Sequence, residues 1–303
     1  MSGKQVAHGK AFEYSVAMKL AAVARAQLAD NKPVAKCRSS YESLPPELQT
    51  RMNVAAKEAI QFLSRYERER VAIGNSVTIQ PDKAGQEGDV RDVLLCQNEK
   101  PLFGISAKHR HRSVKHSRLS DTTDFGKEWG EFSVSSAYWE KVKNIFRDLR
   151  RQKTESNNQA LFRDIRNKEQ TIYLPIITAF ETELKRLIDE HGKAFCRNMF
   201  SYLVGKEDCY QVVANKEKVT VTSFNLGGSL RWGKKWRMPK LLRVERDSEN
   251  DSSTVIITFD HVWAFSFRLH NATSKIEPSL KFDIKFIGMS TEVHHTHLPF
   301  PSS

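Results

Sequence analysis

The sequence predicts a mixed α/β protein with a helix-rich N-terminal half and a β-rich C-terminal half. Three observations predict it. Apolar residues recur at helical spacing over 9–28, 47–69, 137–150 and 173–203. Short β-branched and aromatic runs dominate after Tyr210. One clear hairpin pattern, 93–105, interrupts the helical half. The expected division is 1–208, a helix-rich α/β part, and 209–303, a β-rich part, as two domains or packed as one.

Each element has its own signal. In residues 9–28, Phe12, Val16, Leu20, Val23 and Leu28 line one helical face among many alanines. Pro45-Pro46 breaks the chain, and 47–69 then reads as a helix with Leu48, Met52, Ala55, Ala59, Phe62 and Leu63 inward. Residues 71–73 and 77–79 flank Gly74-Asn75 and read as short strands. Residues 93–96 and 102–105, joined by Gln97-Asn-Glu-Lys-Pro101, make the hairpin. Tyr138, Val142, Ile145 and Leu149 predict a helix over 137–150, and the polar stretch 151–170 reads as an exposed connection. Helical spacing resumes over 173–203. Strands follow at 212–213, 219–224, 255–259, 263–269 and 280–287, with 247–253 as a loop.

Composition narrows the partners. The chain has 303 residues and a formal net charge of +12, which suits a polyanion better than a neutral metabolite. No apolar run approaches the ~20 residues of a membrane span, and the first residues lack the apolar core of a signal peptide. Cys37, Cys96, Cys196 and Cys209 form no Cys-x-x-Cys pair, so they make a poor disulfide framework and a poor zinc site. They read as reduced thiols of a cytoplasmic protein.

The hairpin carries the chemistry. Glu87, Asp89 and Asp92 cluster just before its first strand, and Ser106-Ala-Lys108 closes its second. Ser106 and Lys108 are two apart and share a strand face. A symmetric turn near 98–100 sets Asp92 opposite Ser106, and a slip of one residue would undo the arrangement. Carboxylates that hold a divalent cation, with a lysine to position the attacking water, are what a metal-dependent phosphodiesterase needs. The competing interpretation is a surface hairpin with solvated charges. A basic run follows at once: His109, Arg110, His111, Arg112, Lys115, His116 and Arg118, with no acid among them. Of these, His109, Arg110, Arg112, Lys115 and Arg118 are expected phosphate contacts, which position a duplex without reading it. Pro81-Asp82 spells a familiar nuclease dipeptide, but it leads into Lys-Ala-Gly-Gln, a turn. Asp92 leads straight into strand residues and suits the role better.

Asp92, a hairpin and Ser106-x-Lys108 together resemble the PD-(D/E)xK nuclease superfamily, and Gly9-Lys-Ala-Phe-Glu13 resembles its Gly-x-x-x-Glu helix. More narrowly, the chain resembles the HaeIII family of type II restriction endonucleases. The segments that carry this are Gly88-Asp-Val-Arg-Asp-Val-Leu, Ser106-Ala-Lys-His, Val114-Lys-His-Ser-Arg-Leu-Ser120, Phe224-Asn-Leu-Gly-Gly and the long run from Phe265 to Asp283. The resemblance implies a mixed sheet flanked by helices, with the β-rich C-terminal half reading DNA. It implies magnesium-dependent cleavage of double-stranded DNA within GGCC, leaving 5′-phosphate and 3′-hydroxyl ends. It also implies a cytosine DNA methyltransferase that protects the host's sites, and a monomer or homodimer. Where the superfamily usually has an acid before Ala-Lys, this chain has Ser106. A hydroxyl is a weak magnesium ligand, so Asp89, Glu87 or Glu13 would supplement Asp92. The alternatives are a repair or junction-resolving nuclease with the same core, and a non-cleaving sequence-specific DNA-binding protein.

Further DNA contacts are expected in two places. In 263–271, Trp263, Phe265, Phe267 and Leu269 alternate with polar residues, so Arg268, His270, Asn271 and nearby Lys275 are candidate base readers. A structural salt bridge is the alternative for Arg268. Residues 227–237 mix glycine, tryptophan and bases, which reads as a mobile DNA-facing loop presenting Arg231, Lys234 and Lys235.

Overall fold

A computed structural model describes residues 3–82, 88–110, 113–115, 117–247 and 253–300. It divides into two compact units that interleave along the chain. One comprises Met1–His111, Val204–Arg237 and Thr291–Ser303; the other comprises Arg112–Leu203 and Met238–Ser290.

The first unit is built on a seven-stranded mixed sheet. Its order is β1 (Gln27–Leu28), β2 (Ser76–Ile79), β3 (Val93–Gln97), β4 (Lys100–His109), β7 (Cys209–Ala214), β8 (Lys218–Phe224) and β13 (His295–Pro299). The β1/β2 and β4/β7 pairs are parallel and the rest antiparallel. Helix α1 (Gly3–Ala24) buries Phe12, Val16 and Leu20 in one core with Met52, Ala59 and Leu63 of α3 (Pro46–Tyr66) and with Val93, Ile105 and Val212 of the sheet. A predominantly apolar strand set with a helix layer against it is the expected way to bury both.

Several elements differ from the sequence expectation. Helix α1 stops at Ala24, and Gln27–Leu28 leave it to pair with β2. The helix α2 (Lys32–Glu42) carried no strong apolar period; it is started by Asn31, whose side chain accepts from Val34 N at 3.0 Å, with Pro33 in the first turn. Residues 71–73 are the end of helix α4 (Arg68–Ile73) and not a strand, because Val71 N donates to Glu67 O and continues the turn. A run of three apolar residues is too short for its period to decide.

The hairpin forms as its pattern predicts. Asn98 and Glu99 both adopt positive φ, 50° and 68°, the conformation of a two-residue turn whose twist matches its strands. A bulge lies between Leu95 and Cys96, after which Val93 pairs with Ile105.

The second unit has a six-stranded antiparallel sheet. Strands β5 (Ser113–Lys115), β12 (Ser279–Gly288), β11 (Trp263–Asn271), β10 (Thr254–Phe259) and β9 (Leu242–Arg246) follow in that order, and β6 (Arg118–Ser120) also pairs with β12. The alternation in β11 holds: Trp263, Phe265, Phe267 and Leu269 are buried. Trp129 and Phe180, from the helices Phe125–Gly130 and Leu174–Val204, pack on Phe267 and Phe282 of this sheet, and Phe125 packs on Trp129 and Phe180. The helix Ser136–Glu155 runs past the expected 150, and the polar stretch behind it contains a 3-10 turn, Phe162–Asp164, and a π-helical turn, Glu169–Tyr173. Strands β5, β6, β9 and β13 were not expected. All four cysteines are free and buried. Among the described residues, no helix is long and apolar enough to cross a membrane.

Candidate active site

The site grows from the end of the hairpin. Asp92 N donates to Ile105 O at 2.9 Å, just before the last ladder pair Val93–Ile105, and this holds Asp92 beside the Ser106–Lys108 segment. Three donors then converge on a single carboxylate oxygen, Asp92 Oδ2. They are Ser106 Oγ at 3.2 Å, Ala107 N at 2.8 Å and Lys108 Nζ at 3.1 Å. Two are charge-neutral and one is an ammonium, so the carboxylate is held in orientation and only partly neutralised. Ser106 is buried, whereas the Lys108 side chain keeps 27% of its surface in solvent.

Glu13 comes to the same place from α1. It is buried, and Lys10 Nζ grips both its oxygens at 2.8 and 3.1 Å while Cys37 Sγ donates at 3.5 Å. Burial, and then the Asp92 charge, push the Glu13 carboxyl up to about 7 against the opposing pull of Lys10. Burial disfavours the Lys108 ammonium, but Asp92 and Glu13 outweigh it and raise the proton affinity of Lys108. An Asp92 charge close enough to raise the protonation of Glu13 marks a position short of positive charge. The donors are hard oxygens, and the nearby Cys37 thiol is pushed up to about 12 by burial and Glu13, so it is no thiolate. This chemistry fits magnesium or a similar hard dication better than zinc. Among the described residues no three His, Cys, Asp or Glu side chains form a ready ligand set. An ion there would complete its shell from water and phosphate.

The other expected metal ligands fall elsewhere. Asp89 is tied to its neighbour: Arg91 Nε donates to Oδ1 at 2.8 Å and Nη2 to Oδ2 at 2.7 Å, and Gln80 Nε2 donates to Oδ2 at 2.9 Å. Against the upward push of burial, these bonds hold its carboxyl below the ordinary range. Gly104 makes room for this pair, because a Cβ there would meet the Arg91 side chain at 2.3 Å. Glu87 lies outside the described residues. Asp82 is not on the hairpin end; it pairs with Lys10 at 2.6 Å and Lys36 at 3.1 Å.

The basic run is not uniform. His109 is buried against His8 and Phe12, and burial, followed by Arg110, pushes it down to about 4. It is a neutral packing residue there, which departs from the expected phosphate contact. Arg110 is exposed at φ 52°, with its N–H on Ala214 O. Arg112 and the Lys115 side chain lie outside the described residues. Arg118, in the second unit, donates to Ser279 Oγ at 3.1 Å.

The loop Arg231 belongs to is pinned, contrary to the expected mobility. Asp208 accepts from Gly227 N and Ser229 N at 2.6 and 2.7 Å, Asn225 from Leu230 N at 3.0 Å, Glu67 from Arg231 N at 2.8 Å, and the Tyr210 hydroxyl from Trp232 N at 3.1 Å. Glu67, a buried acid 164 residues from Arg231 in the chain, gives no local sequence signal. The side chains of Lys234 and Lys235 are exposed, and Arg231 stands 3.6 Å from Glu69.

In the second unit Arg268 is exposed and stands opposite Asp283 in register. His270 Nδ1 meets Asn271 O at 2.7 Å, Asn271 Oδ1 accepts from Tyr173 OH at 3.2 Å, and Lys275 Nζ donates to Gln159 Oε1 at 3.2 Å. Lys10, paired with Glu13, is a side chain at this place that the sequence reading did not single out; its position three residues before Glu13 on one helix is the local hint.

Comparison with known proteins places the chain among site-specific deoxyribonucleases. The family model of the HaeIII restriction endonuclease matches residues 9–290. Type II restriction enzyme HaeIII of Haemophilus aegyptius is 34% identical, with 97% of each chain covered. The protein therefore belongs to the HaeIII restriction endonuclease family. It is a type II restriction endonuclease acting on double-stranded DNA, a class that uses divalent metal ions. The non-cleaving and repair readings give way to this one. No solved structure gives a significant match.

Proposed function

We propose that this enzyme cuts double-stranded DNA within GGCC by magnesium-dependent hydrolysis, leaving 5′-phosphate and 3′-hydroxyl ends. The observation that carries the proposal is the convergence of Ser106, Ala107 N and Lys108 on Asp92 Oδ2, with Glu13 beside it. Asp92 and Glu13 would hold the dication. When bound, such an ion polarises the scissile phosphate and makes a water more acidic. Ser106 and Ala107 N fix the direction of Asp92. Lys108, kept protonated by its two acidic neighbours, orients the attacking water and stabilises charge building on the phosphate. The mixed sheet, with Asp92 just before β3, Lys108 on the adjacent β4 and Glu13 on the first helix, supports a PD-(D/E)xK core.

Contact with the duplex is assigned by the same reasoning. Arg110, Arg231, Lys234 and Lys235 contact phosphates in the first unit and Arg118 in the second. Arg268, with His270, Asn271 and Lys275 around it, reads bases. Cleavage is assigned to the part expected at 1–208 and recognition to the β-rich part at 209–303, whose strands join both sheets. The enzyme works in the cytoplasm as a monomer or homodimer beside a cytosine methyltransferase. The test is digestion of a sequenced plasmid with magnesium, followed by mapping of both ends. Cuts outside GGCC, or 3′-phosphate ends, would defeat the proposal.

A further inference from the structure

We infer that Lys10 is a positioning residue, a built-in counter-ion that holds Glu13 for the divalent cation and shifts onto Asp82 when the cation arrives. The inference rests on the assignment of Asp92 and Glu13 as the ligand pair, and adds how that pair is kept ready and released. Lys10 Nζ spans both oxygens of Glu13, so no oxygen of this carboxylate is unshared. A dication that takes a Glu13 oxygen competes with the ammonium for the charge of the carboxylate and repels it. The Lys10 side chain is only 14% exposed, and a buried ammonium stripped of its partner is costly.

Asp82 removes that cost. Its Oδ1 already lies 2.6 Å from the same Nζ, and its Oδ2 is 3.1 Å from Lys36. Lys10 can therefore give up Glu13 and remain paired. Asp82 itself is 60% exposed and anchored by Lys36 at the protein surface. The chain Glu13–Lys10–Asp82–Lys36 thus alternates in sign, and one link can slide along it. The dipeptide Pro81-Asp82, set aside as a metal ligand, gains a role behind the ligands.

The arrangement predicts shifts of opposite sign in metal affinity, measured without DNA and without turnover. Manganese binding to the full chain is followed by calorimetry and by electron paramagnetic resonance of the free ion. Lys10→Met frees Glu13 and tightens binding, on the order of tenfold, the scale of outer-layer effects at metal sites. Asp82→Asn strands Lys10 on Glu13 and weakens binding by about as much. The double variant follows Lys10→Met. Asp82 is exposed, so its variant keeps the test available should Lys10→Met fold poorly. Asp92→Ala is the reference. If it weakens binding while the Lys10 and Asp82 variants move together or not at all, the counter-ion role is overturned. If Asp92→Ala leaves affinity unchanged, the ligand pair itself falls, and this inference with it.

Discussion

The Asp92 end of the hairpin and the polar face of the Trp263–Asn271 strand both turn polar side chains away from a packed core, but they use them differently. At the hairpin end, ionised groups satisfy one another incompletely: two carboxylates face each other, and Lys108 and Lys10 are shared between them and their surroundings. On the strand, local and neutral partners take the polar atoms. His270 meets a backbone carbonyl, Asn271 a tyrosine hydroxyl and Lys275 a glutamine amide. Arg268 alone there carries a charge outward beside an acid. The difference teaches how the proposed reacting centre and the proposed reading surface can be told apart. In the first, charges are packed together and short of a cation; in the second, they are few and accessible.

The largest expected effect tests the first half of that contrast. Lys108→Ala and Asp92→Ala each lower cleavage by a factor on the order of a thousand, the scale for losing a preorganised electrostatic group. Both variants stay folded by circular dichroism and still bind DNA. High magnesium partly rescues Asp92→Ala and leaves Lys108→Ala inactive. Asp89→Ala breaks a structural pair, so it lowers the melting temperature and leaves the metal requirement as it was. An Asp89 variant that folds normally but needs more metal would erase the distinction between the two aspartates.

The next effect concerns pH. The folded state holds His109 near 4, below its usual 6.5, so it favours the neutral ring. That contribution is complete above pH 6.5 and is lost as pH falls toward 4, by roughly 3 kcal/mol over the full range. Glu13 acts in the opposite direction, since its raised carboxyl stabilises the metal-free fold as pH falls below about 7. Denaturant melts of wild type and His109→Gln cancel the Glu13 effect, which both share. The variant loses less stability on acidification, and parallel curves would mean that His109 is solvated.

On the reading side, Arg268→Ala costs on the order of 1–3 kcal/mol at the cognate site and little at others, the range for a bidentate guanine contact. Equal losses at all sequences would make Arg268 a phosphate or structural residue. The smallest effect is Arg110→Ala, which lowers the slope of log affinity against log salt by about 0.9 for one phosphate. It should do so equally on cognate and unrelated DNA.

How much of this was legible in the sequence follows from the range of each interaction. The register of the hairpin was not legible, because the two-residue turn opposes Gln97 to Lys100 and only the bulge between Leu95 and Cys96 brings Val93 opposite Ile105 and Asp92 close to Ser106 and Lys108; that the two apolar runs pair was legible, because it is a local pattern. The alternation of β11 was legible for the same reason: a period of two is a local property. Glu13 entered through a motif. Lys10 and Asp82 stayed hidden because their pairing joins residues 72 apart with no periodic signal. The pinning of residues 227–232 stayed hidden because it depends on Glu67 and Asp208 in other elements. His109 was misjudged because a basic neighbourhood says nothing about which way one ring turns.

The parallel pairing of β4 with β7 has a consequence for synthesis of the chain. Ile105–His109 lie beside Tyr210–Ala214, so the strand that carries Lys108 has no neighbour on that side until about a hundred further residues have been made. Closing so long a loop is entropically slow, and sheets with such separations fold late. A nascent or truncated chain that stops at the end of the helix Leu174–Val204 holds Asp92, Lys108 and Glu13 but lacks the strand that braces them. For an endonuclease acting on double-stranded DNA, the proposed cleavage site is then complete only after the chain has returned.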